Sequence, residues 1–113
     1  MRKLASLFVL LGLSVMPAFA AVETYKDVAV VDVACSAKVT ADPDSHTRAC
    51  ALKCAASGFG IVTQDKHFVK FDAEGNKQIE DALKASDRKD HLRVDVSGDL
   101  RGDTLQVTSI KLL

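Results

Sequence analysis

Leu92, Val94 and Val96 alternate with Arg93, Asp95 and Ser97. A period of two puts one set of side chains on each side of a pleated strand. The pattern therefore predicts a half-buried strand. Leu105 and Val107 continue the alternation after the turn at 98–103, but Ile110 and Leu112 fall out of phase. A bulge near Thr108 or Ser109 would restore it. Upstream, Val28, Val30, Val31 and Val33 crowd the stretch from about Tyr25 to Ala34. Such β-branched density suits a pleated, buried surface, so a further strand is expected there. Ile61 to Thr63 and His67 to Phe71, separated by Gln64-Asp65-Lys66, read as a hairpin.

Two helices are expected between these strands. Asp42-Pro43-Asp44-Ser45 is a start signal, and the alanine-rich run from about Ser45 to Ser57 propagates well. Gly58 then supplies a positive-φ residue past its end. Asp72 to Asn76 reads as a turn. The second helix runs from about Lys77 to Ala85, with Ile79, Ala82 and Leu83 on one face. The order is strand, helix, strand, strand, helix, strand, strand. With the first helix set aside, this is the order of an OB-fold barrel: five strands and a helix between the third and fourth. The expected fold is thus all-β or α+β, an OB-like barrel. A Cys/His-bearing helix is inserted between strands 1 and 2, and a second helix between strands 3 and 4 plugs one end with Ile79 and Leu83. An open α+β sandwich is the competing arrangement.

The N-terminal segment carries an export signal. Met1-Arg2-Lys3 is basic, Leu4 to Val15 is apolar, and Ala18-Phe19-Ala20 offers an Ala-x-Ala cleavage site. The apolar run is too short to span a bilayer. Residues 1–20 are expected to be a cleaved signal peptide, leaving 21–113 as a single domain in the periplasm or outside the cell. A chain this size buries about 60–65% of its unfolded surface, which gives a modest core. No second long apolar segment is present, so no membrane span is expected after cleavage. The 15 basic and 15 acidic residues balance, and Arg2 and Lys3 depart with the signal. That charge excludes the basic excess of a nucleic-acid binder. Tyr25, Phe59, Phe68 and Phe71 are too few for a base-stacking platform.

Three cysteines, Cys35, Cys50 and Cys54, lie in the exported part. Exported compartments favour disulfides, and an odd count leaves one thiol over. His46, Cys50 and Cys54 stand at i, i+4 and i+8. On one regular helix they would share an arc of about 80°. Thiolate and imidazole suit copper(I) or zinc, so Cys35, His46, Cys50 and Cys54 are the candidate metal ligands. Binding all three helix residues to one ion requires the helix to bend, because i to i+8 is about 12 Å of rise. A disulfide from Cys35 to Cys50 or to Cys54 would instead clamp the helix to the barrel. Thiol redox chemistry is the third possibility. A protein partner or small ligand is compatible with each.

The segment His46-Thr47-Arg48-Ala49-Cys50-Ala51-Leu52-Lys53-Cys54, with Cys35 before it and Gly58-Phe59-Gly60 after it, resembles a group of small exported bacterial proteins of unassigned function. The resemblance covers about Asp32 to Phe71. It implies one site made of Cys35, His46, Cys50 and Cys54, and it implies no activity. Cys50-x-x-x-Cys54 is also similar to the motif of copper-delivery proteins that assemble cytochrome oxidase. The chain lacks the strands and helices of their thioredoxin-like fold.

Other features read as structural. His67 and His91 are expected to be solvated, and Arg48 and Lys53 to be surface charges beside the cysteines. Arg101-Gly102-Asp103 reads as a hairpin turn. Asp72 to Asn76 fails the calcium-loop register, which would put Leu83 where glutamate is needed. No Ser/His/Asp arrangement or phosphate-binding glycine loop is present, so no catalytic residues are expected.

Overall fold

The computed structural model describes residues 21–113. The signal-peptide expectation falls on 1–20 and lies outside the described residues. Five strands close into a mixed barrel in the order β1-β2-β3-β5-β4. They are β1 (Ala21–Asp32), β2 (Phe59–Val62), β3 (Phe68–Phe71), β4 (Arg93–Arg101) and β5 (Thr104–Leu112). Neighbours pair antiparallel, except β3 and β5, which run parallel. The arrangement is compatible with an OB-like barrel. Among the described residues no helix is long and apolar enough to cross a membrane.

The period-two pattern explains which side chains fill the barrel. Val94 and Val96 of β4 and Leu105 and Val107 of β5 are buried, as are Val28 and Val30 of β1 and Phe59 and Ile61 of β2. The slip in β5 is a bulge. Ser97 faces Ser109 and Gly98 faces Val107, so Thr108 is the extra residue. Its hydroxyl donates to the Ser97 carbonyl at 3.2 Å. Gly98 is required at this spot, since a Cβ there would lie 2.2 Å from the Gln106 carbonyl oxygen.

Helix α3 (Ala73–Ala85) begins one turn earlier than the sequence pattern indicates. Asp72 is its N-cap, and the carboxylate accepts from the Gly75 amide at 3.0 Å. Gly75 does not mark a turn. It lets the first helical turn press against Val107 and Phe71, which an added Cβ would strike at 2.4 and 3.0 Å. Ile79 and Leu83 are fully buried and belong to the same core as the inward side chains of the strands.

The long helix expected over 45–57 does not form. A 3₁₀ turn (Pro43–Ser45), helix α2 (Arg48–Lys53) and a second 3₁₀ turn (Ala55–Ser57) replace it, after a short helix α1 (Ser36–Val39) in a stretch given no element from sequence. His46 is extended, with φ −71° and ψ 129°. Thr47 takes over as N-cap of α2, its hydroxyl accepting from the Cys50 amide at 3.1 Å. Two outside contacts pin the break: the Arg48 amide donates to the Lys89 carbonyl, and the His91 amide to the Asp44 carbonyl. Tertiary contacts override the alanine-rich propensity here.

The Asp44 contact continues into a bidentate pair. Arg93 Nε and Nη2 donate to its two carboxylate oxygens at 3.0 and 2.7 Å. The Arg93 hydrogen bond holds the Asp44 carboxyl below its usual range. A carboxyl depressed in the folded state adds stability above its unfolded value of about 3.9, lost as pH falls through the lower folded value. Asp44→Asn should therefore be less stable than wild type by about 0.5–1 kcal/mol at neutral pH. In urea melts that gap should be constant down to about pH 5 and shrink below about pH 4. A gap that persists unchanged at about pH 3 would show the effect is not electrostatic.

Candidate metal centre

Asp32 is the last residue of β1, pairs with Phe59 of β2, and has no exposed surface. A buried carboxylate must be compensated by donors, and two are supplied. The Cys35 amide donates to Oδ2 at 3.0 Å. The His46 imidazole lies with Nε2 2.6 Å from Oδ1. With Asp32 ionised its oxygens only accept, so the tautomer that fits this contact has Nε2–H as the donor. His46 is itself only 6% exposed. It leaves the α2 face because this partner lies inside.

The chain turns sharply after Asp32. The Val33 amide donates to the Gly58 carbonyl and the Ser36 amide to the Val33 carbonyl. This brings Cys35 back over the strand end. Cys54 is the C-cap of α2, where the helix gives way to the second 3₁₀ turn. Ser57 fastens the two loops together. Its hydroxyl donates to the Cys54 carbonyl at 2.7 Å and accepts from the Ala34 amide at 3.1 Å. Gly58, at φ +87°, turns the chain into β2 beside it.

As a result, Asp32, Cys35 and Cys54 converge. One carboxylate oxygen and the two Sγ atoms all lie within 4.8 Å of one another. Asp32 is buried and both cysteines are half-buried. Such a group could hold a metal ion. Burial pushes the Cys35 thiol above its usual range, and the negative charges of Asp32 and Cys54 add to that. Each cause acts in the same direction, because acidic groups are gathered around the thiol.

The four candidate residues from the sequence are thus distributed unequally. Cys35 and Cys54 meet. His46 stands behind Asp32 as its hydrogen-bond partner. Cys50 is exposed, one turn earlier on α2, and outside the three-atom group. The shared helical face of His46, Cys50 and Cys54 does not exist, because α2 starts after His46. All three thiols are unbridged. Sequence reasoning missed Asp32 and Ser57. Asp32 carried a signal, being an acidic residue that closes a valine-rich run three positions before a cysteine. Ser57 carried none.

The remaining histidines are exposed and pair with neighbouring acids, His67 with Asp65 at 3.4 Å and His91 with Asp90 at 2.8 Å. Arg101-Gly102-Asp103 spans the β4–β5 turn, with Gly102 at φ +62°. Comparison of the chain with protein-family models, with curated proteins and with solved structures returned no match.

Proposed function

We propose that the protein is a small exported, non-enzymatic binding protein that holds a thiophilic transition metal, copper or zinc, through Cys35 and Cys54 with Asp32 beside them. The observation that carries this reading is the convergence of a buried carboxylate on two thiols. A disulfide clamp needs only the sulfur atoms. A fixed carboxylate beside them serves an ion. His46 is the orienting partner, in the way outer hydrogen bonds hold metal ligands in place.

The same order of groups argues against a catalytic thiol. A cysteine nucleophile is activated by an imidazole that stands between thiol and carboxylate. Here the carboxylate stands between the thiols and the imidazole, so it raises the Cys35 thiol instead of activating it. The domain's near-balanced charge fits neither nucleic acid nor an anionic membrane surface.

A second reading has one observation behind it: the two sulfur atoms lie close enough for a modest movement to bridge them. A Cys35–Cys54 disulfide would close a loop of about 20 residues and add about 3 kcal/mol in the chain-entropy treatment. Intact-mass spectrometry of the native exported protein, before and after alkylation without reductant, separates the two. The metal reading expects an ion that leaves on denaturation. It also expects Cys50 to alkylate at once, while Cys35 and Cys54 react only after a chelator is added. A mass two hydrogens light, with Cys50 as the single reactive thiol and no ion, establishes the clamp and ends the metal reading.

A further inference from the structure

We propose that the ion held by this site is a divalent, borderline-soft cation, zinc or its equivalent, bound through one oxygen of Asp32 and the two sulfurs of Cys35 and Cys54, with a fourth position open to solvent. This inference rests on the metal-holding reading above and specifies its ligand.

Charge decides first. Two thiolates and a carboxylate bring three negative charges to a place where the carboxylate has no solvent exposure. A monovalent ion leaves two of them uncompensated, and a divalent ion leaves one. Buried charge without a partner is costly, so the higher valence is favoured. The Cys35 amide and His46 already hydrogen-bond the carboxylate, so part of the remaining charge is spread onto donors.

Donor type decides next. Copper(I) is satisfied by sulfur alone, whereas a carboxylate oxygen is a hard ligand that zinc accepts beside thiolates. Tetrahedral zinc, with Zn–S near 2.3 Å, places sulfur ligands roughly 3.8 Å apart. The ligand atoms here are within 4.8 Å of one another, so only small side-chain movement is needed. The rigid member is the right one. Asp32 is fixed by the barrel strand and two hydrogen bonds, while the cysteines sit on a turn and a helix end.

Geometry sets the coordination number. Three ligands from the chain leave one tetrahedral position, as in zinc sites that exchange a water or an external ligand. His46 does not fill it, because its Nε2 faces Asp32 from the interior. Nor does Cys50, which lies on the outer side of α2. The half-buried cysteines border solvent, so the fourth position faces outward.

The test uses reduced residues 21–113 under anaerobic conditions, titrated with cobalt(II), zinc and copper(I) separately. Cobalt(II) should bind one to one. Its absorption should show the ligand-field bands of a tetrahedral ion and the charge-transfer intensity of two thiolates. Zinc should displace it stoichiometrically. Cys50→Ser should leave the spectrum unchanged. Asp32→Asn should weaken zinc roughly tenfold to a hundredfold, on the scale of altered metal-site partners, while copper(I) affinity moves less than about threefold. If Asp32→Asn does not fold, the wild-type cobalt spectrum decides: an octahedral or single-thiolate spectrum overturns the inference. Copper(I) binding without zinc or cobalt binding overturns the divalent assignment and leaves the metal reading standing. No binding of any of the three ions ends both.

Discussion

Replacing Asp32 by alanine should lower the unfolding free energy of the reduced, metal-free domain by about 3–5 kcal/mol. The loss is large because three debts fall due together. The His46 imidazole is buried, and its Nε2–H has no other partner once the carboxylate is gone. The Cys35 amide loses the acceptor that turns the chain after β1. Each buried donor left unpaired costs about 1–3 kcal/mol. The void where a fully buried side chain stood adds a packing penalty. Since small domains are held by only about 5–15 kcal/mol, this variant should sit near the edge of folding. A double-mutant cycle assigns the cause. His46→Ala alone should also destabilise, but the double variant should lose less than the sum, with a coupling of about 1–3 kcal/mol. Urea melts of the four proteins give the answer. A coupling near zero would mean that the buried pair does not act as a unit.

The same residues show what was readable in the sequence and what was not. The barrel strands were readable because period-two patterning is a direct consequence of burying one side of a strand, and β4 obeys it from Arg93 to Gly98 and β5 from Thr104 to Val107. Even the bulge at Thr108 announced itself as a phase error. The segment 45–57 misled for a physical reason. Local propensity favours one helix through its alanines, yet His46 gains more from the buried Asp32 carboxylate than a helical turn would give it. That partner is 14 residues away, so no local rule sees it. The three cysteines stood out in the sequence as an odd set in the part expected to be exported. Which of them meet was not legible, because the answer depends on where α2 starts. Moving that start past His46 leaves Cys50 exposed and puts Cys54 at the helix end. Gly75 failed in the opposite sense. A glycine in a polar stretch suggests a turn, but here it is a contact surface inside a helix.

The helix it belongs to gives the other large expected effect. Leu83→Ala should cost about 2–5 kcal/mol. Leu83 and Ile79 have no exposed surface and belong to the same core as Val94, Val96, Leu105 and Phe59. The barrel is small, with β2 and β3 only four residues each and the β3–β5 seam paired at two positions. Such a barrel has little backbone slack with which to collapse onto a cavity, which places the cost toward the upper part of the range. At about 4–8 °C per kcal/mol for a domain of this size, the fall in midpoint should be plain in a thermal scan. Lys84→Ala, next along the same helix and exposed, should stay within about 0.5 kcal/mol of wild type. The helix also reaches the candidate metal centre. Asn76 Oδ1 accepts from the Phe59 amide at 2.8 Å, and Phe59 is the strand partner of Asp32. Loosening α3 should therefore speed alkylation of Cys35 and Cys54 in the metal-free protein, while Cys50, already exposed, reacts at its wild-type rate. If Leu83→Ala melts earlier but leaves all three cysteines at wild-type rates, the helix stabilises the barrel without positioning the site.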